Sequence, residues 1–181
     1  MMTDLLVGDH AEVDAMFRAL WREFDHGGAR GVFERLDYLW ARLAVHVRAE
    51  HLHLFPALLA ASPGSRGERT DDAPAPGEVH AAVEHLREDH DFFMRELAGA
   101  VNAARALAAQ DGPPDRERLL QIRGRASAVA ERLAEHNRVE EQQVYLWPVA
   151  LLAESELDTL REGMKRELEN LPPRFSEGSP R

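Results

Sequence analysis

Two short stretches hold the side chains most able to do chemistry. HVRAEHLHLFP at 46–56 and HNRVEEQQVYLWP at 136–148 each set a histidine four residues before a glutamate: His46 before Glu50, and His136 before Glu140. Residues four apart share one face of a helix, so an imidazole and a carboxylate at that spacing can reach a common ion. Two more histidines, His10 and His90, each follow an aspartate, in Asp9-His10 and Asp89-His90. The chain has no cysteine. Disulfides, thiolate zinc sites, iron–sulfur clusters and cysteine nucleophiles are thereby excluded, and any metal must be held by nitrogen and oxygen.

These residues need elements to bring them together. Turn-rich stretches at 26–31, 62–77 and 111–114 divide the chain into four segments, at about 3–25, 30–61, 77–110 and 115–153. Each has apolar residues at three-and-four spacing, the signature of an amphipathic helix. The stripes run Leu6, His10, Val13, Phe17 and Leu20; Leu39, Leu43, His46, Glu50 and Leu54; Leu86, His90, Phe93 and Leu97; and Val129, Leu133, His136, Glu140 and Val144. Every stripe is broken by a histidine, and two by a glutamate as well.

In antiparallel helices, residues equally far from the connecting turn lie at one height. The midpoint of His10 and His46 is Gly28, that of His90 and His136 is Pro113, and that of His46 and His90 is position 68, all in turns. The expected fold is therefore all-α, an up-down-up-down four-helix bundle with all four histidines at one level. At about 100° per residue, His51 and His85 turn away from the core, His80 lies on a flank and His26 in a turn. His53 shares the inner face one level away and is expected to support the site from outside.

Burying so many polar groups is costly unless they share a strong partner, and a divalent metal is the natural one. Four imidazoles and two carboxylates exceed the needs of one tetrahedral zinc. They suit two adjacent octahedral ions, each with two histidines, the glutamates bridging and an oxo or hydroxo group between. Iron matches this mixed ligation best, with manganese or zinc able to use the same cage. Repeated DH pairs, and HVRAE with Phe55-Pro56 against HNRVE with Trp147-Pro148, suggest two similar hairpins, each supplying half a site.

Composition agrees. The 181 residues are 44% hydrophobic, enough for one main domain, and a net charge of −10 opposes a nucleic-acid role. No secretory signal is seen at the start, and no apolar run is long enough to cross a bilayer, so a cytoplasmic location is expected. Trp21, Trp40, Phe17 and Phe93 read as core, and Asp14 as a flank residue.

The order His, His-x-x-x-Glu, His, His-x-x-x-Glu over roughly 3–153 resembles the hemerythrin family, specifically the bacterial HHE cation-binding domains. That resemblance implies a non-heme di-iron centre held by His10, His46, Glu50, His90, His136 and Glu140, meeting oxygen, nitric oxide or peroxide. Two positions depart from the oxygen carriers. Met94 stands where they have a further histidine, and Glu141 directly follows Glu140, making it the substitute ligand. The implied function is binding or sensing oxygen or nitric oxide. The alternative is a redox enzyme acting on peroxide or nitric oxide, or donating iron for cluster repair; ferritin-like storage ranks lower, since only Glu50-x-x-His53 offers its motif on an inner face. Residues 1–153 are expected to form the metal-binding bundle, and 154–181 a short helix and flexible tail.

Overall fold

The computed structural model describes residues 2–61, 73–75, 77–110 and 115–175; positions 62–72 and 111–114, where two turns are expected, lie outside the described residues. The first helix, α1, spans Met2–His26 and turns through Gly27 and Gly28 into α2, Ala29–Ala49. A π-helical turn at Glu50–Leu54 leads into α3, Phe55–Ala61. The return pair is α4, Glu78–Ala108, and α5, Arg116–Val139. A second π turn at Glu140–Val144 then precedes α6, Trp147–Leu151, and α7 covers Glu154–Leu168. No strand occurs among the described residues.

Local chemistry sets several of these bounds. Gly77, before α4, has φ of 85°, a left-handed conformation open to glycine at little cost. Asp115 caps α5 by accepting from the backbone N–H groups of Glu117 and Arg118 at 3.0 and 3.2 Å. At the start of α7 it is Glu156 that reaches back, accepting from the N–H of Ala153 at 2.9 Å. Within α7, Arg161 donates to Asp158 at 2.7 Å.

Helix α1 packs on α2, α2 on α4, α4 on α5, and α5 back on α1, closing the up-down-up-down ring. The predicted stripes form its interior, in two apolar clusters. One fills the end near the α1–α2 turn, with Phe17, Leu20, Leu36, Leu97, Ile122 and Val129. The other, with Leu6, Leu54, Leu58, Leu86, Val144 and Met164, is closed by α3, α6 and α7. Phe17 and Phe93 are core, while Trp21 and Trp40 lie half-buried against it.

Helix α7 lies over the first π turn. A Cβ on Gly163 would stand 2.7 Å from Nδ1 of His53, so a larger residue there would have to displace the His53 ring. Beyond α7, Pro173–Phe175 forms a 3₁₀ turn and Phe175 docks edge-on against Tyr38, with ring centroids 5.3 Å apart. This part of the expected tail is folded onto the bundle, and residues 176–181 lie outside the described residues.

Candidate metal centre

Between the two apolar clusters runs a single polar layer. His10, His46, Glu50, His90, His136 and Glu140 all lie in it, each at most 5% exposed. Their ligand atoms form two groups within 4.8 Å: Glu50, His90, His136 and Glu140 in one, and His10, His46 and Glu140 in the other. Glu140 belongs to both. Its Oε1 lies 3.1 Å from His136 Nε2 and its Oε2 lies 3.3 Å from His10 Nε2. Glu50 Oε2 stands 3.3 Å from His90 Nε2 and 3.5 Å from His46 Nε2.

The imidazoles are aimed from behind. His46 Nδ1 donates to Asp9 Oδ2 at 2.8 Å, and His136 Nδ1 donates to Asp89 Oδ2 at 3.0 Å. His10 Nδ1 donates to Glu141 Oε1 at 2.8 Å. A carboxylate can only accept, so these bonds place a proton on Nδ1 and turn Nε2 inward. The fourth histidine uses a different partner, since His90 Nδ1 lies 2.9 Å from His51 Nε2. Burial, with repulsion from His90 and Arg87, lowers the pKa of His51 and keeps it a neutral acceptor. The aspartates are anchored in turn, Asp9 by Arg42 and Asp89 by Arg132 at 2.6 Å.

Both π turns begin at the glutamates. The N–H of Phe55 bonds to the carbonyl of Glu50, and that of Tyr145 to the carbonyl of Glu140 at 2.8 Å, each five residues back. Pro56 and Pro148, which have no N–H, follow closely and cannot close ordinary helical bonds. A wider turn advances less than 100° per residue, which corrects two expectations. His51 swings toward α4 and supports His90 instead of facing solvent. His53 instead packs beneath Gly163 of α7, away from the cluster. The turns also show that Tyr145, rather than Trp147, is the counterpart of Phe55.

Tyr145 is the central residue missed by the sequence reading. Fully buried, its hydroxyl lies 2.7 Å from Glu50 Oε1, 2.9 Å from Glu140 Oε2 and 3.1 Å from His10 Nε2. Burial, then the charges of Glu140 and Glu50, push this phenol well above its usual pKa. The available signal was its position five residues after Glu140, as Phe55 is after Glu50. Glu141 lies behind His10 rather than inside the layer, Asp14 is exposed, and Met94 packs half-buried against the apolar cluster.

Charge within the layer is strongly coupled. Burial opposes protonation of His136, but the charge of Glu140 and the hydrogen bond to Asp89 prevail, pushing it up to about 10. Burial would raise Glu140, yet His136 and His10 hold it well below the usual carboxylate range. Even so, Glu50 Oε2 and Glu140 Oε1 are buried without a hydrogen-bond partner. Unpaired buried carboxylate oxygens facing imidazole nitrogens are what a cation would satisfy, so the donor set fits a metal.

No curated protein and no solved structure matches the chain. A family model does match, that of the hemerythrin HHE cation-binding domain, over residues 1–147, a span holding the whole polar layer. The chain belongs to the hemerythrin HHE cation-binding domain family.

Proposed function

We propose that the protein holds two iron ions at His10, His46, Glu50, His90, His136 and Glu140, and binds or senses oxygen or nitric oxide there. The carrying observation is the pair of donor groups sharing Glu140, with buried carboxylate oxygens left unpaired by the protein. Two histidines per ion together with carboxylate donors would suit octahedral iron, and manganese or zinc would fit the same donors. A di-iron pair, when bound, supplies reversible binding of a small diatomic molecule. The chain's own part is to aim four Nε2 atoms, to keep bulk water out with apolar clusters on both sides, and to hold protons on the outer nitrogens. No described helix is long and apolar enough to cross a membrane, and the proposed setting is the cytoplasm. We assign residues 1–153 to this unit, with α7 as its cover.

Metal analysis of purified protein, with absorption spectra under alternating air and nitrogen and then with nitric oxide, tests the reading. Two irons per chain and a reversible spectral change are expected. A folded protein that takes up no transition metal overturns it. Rapid consumption of peroxide or nitric oxide by the iron-loaded protein would reassign it as a redox enzyme.

A further inference from the structure

The two donor groups are unequal. The His90 and His136 group has four members, whereas the His10 and His46 group has three. Beside the poorer group stands the Tyr145 hydroxyl, held by the π turn and fully buried. It has one proton, yet two carboxylate oxygens and an imidazole nitrogen converge on it, at 2.7, 2.9 and 3.1 Å. One O–H cannot serve three acceptors at once.

The distances point the same way. Neighbouring donors of an octahedral ion with bonds of about 2.1 Å stand about 3 Å apart. His136 Nε2 and Glu140 Oε1, in the richer group, are separated by 3.1 Å. His90 Nε2 and His136 Nε2 are separated by 3.0 Å. Tyr145 Oη stands from Glu140 Oε2 and His10 Nε2 as those donors stand from one another. At the equivalent place in the other half, Phe55 stacks on His90 with centroids 5.8 Å apart and offers no donor atom.

We propose that Tyr145 is a phenolate ligand of the ion held by His10, His46 and Glu140, supplying that half with its fourth donor. The inference rests on the metal-binding reading above. On ligation the O–H bond breaks, the oxygen keeps the electron pair and bonds the cation, and the proton leaves to solvent; nothing is oxidised or reduced. The two metal positions then differ chemically, one having a phenolate and the other histidine and carboxylate donors alone.

The test is the visible and resonance Raman spectrum of the protein loaded with ferrous iron and then oxidised. Expected is a phenolate-to-iron charge-transfer band with enhanced tyrosine ring modes, lost in Tyr145→Phe. The chain has two tyrosines, and the other, Tyr38, packs against Phe175 away from the layer. Tyr38→Phe grown with ring-deuterated tyrosine must therefore keep the band and show isotope-shifted modes, which decides the matter even if Tyr145→Phe fails to fold. Protein with two irons but no such band overturns the proposal and leaves the metal reading standing. Protein that takes up no iron overturns both.

Discussion

The two halves of the polar layer agree in one respect and differ in another. Asp9 behind His46, anchored by Arg42, repeats as Asp89 behind His136, anchored by Arg132. The other two histidines are treated differently. His10 has the carboxylate of Glu141 behind it and the phenol of Tyr145 beside it; His90 has the neutral His51 and the ring of Phe55. The repeated part fixes where imidazoles point, which any metal demands. The divergent part sets charge and polarity, so the two positions are expected to bind with unequal strength and potential.

The glutamates offer the strongest way to break this comparison. Glu140 serves both donor groups, whereas Glu50 belongs to one. Replacing Glu140 by Ala is expected to weaken both metals by more than about 100-fold, beyond the usual cost of losing a supporting contact. Glu50→Ala should leave an ion with His10 and His46. Metal stoichiometry after dialysis measures the difference, and equal loss in both variants would mean the halves are not separable.

Protonation provides the next test. His136 in the metal-free protein is pushed up to about 10 from a usual 6.5. A raised folded-state value means its stabilising contribution is complete below 6.5 and is lost as pH rises through about 10. Denaturant midpoints of the metal-free protein should fall across that window. The loaded protein should not show that fall, because the ligand nitrogen is already deprotonated by the metal. A metal-free midpoint that holds steady would remove the coupling between His136 and Glu140.

The aspartates test the shared part directly. Asp9→Asn and Asp89→Asn keep shape and lose charge, and each is expected to reduce metal affinity by roughly 10- to 100-fold. If the repeat is functional the two losses should be similar by competitive metal titration. A loss confined to one variant would show that the likeness is only geometric.

The helices and the six polar residues were readable in the chain because periodicity and turn positions are local. Leu6, His10 and Val13, or Leu86, His90 and Phe93, mark a face by spacing alone, and distance from a turn sets their height. The surroundings of the layer were less readable. Extrapolating 100° per residue past Glu50 put His51 in solvent and His53 under the site, because a π turn changes the angular step and leaves only a nearby proline as its trace. The second π turn hid Tyr145 behind the more conspicuous Trp147-Pro148. Asp9 and Asp89 were visible as a repeat, but which histidine each would support depends on a neighbouring helix.

The anchors behind the aspartates give the smallest expected effect and the finest comparison. Arg42 is 7% exposed and, besides Asp9, donates to the carbonyl of Leu168 at 3.0 Å, joining the bundle to α7. Its burial lowers its pKa. Arg132 makes the matching bond to Asp89 from a half-exposed position, with its guanidinium 4.7 Å from the Phe92 ring centroid. Removing a buried charged donor leaves acceptors stranded and costs about 1.5–3 kcal/mol, whereas a donor that stays largely hydrated in the folded protein contributes less. Arg42→Met is thus expected to destabilise more than Arg132→Met by denaturant unfolding, although each loses one aspartate contact. Equal penalties would mean that the aspartate contact alone matters and that the tie to α7 contributes nothing.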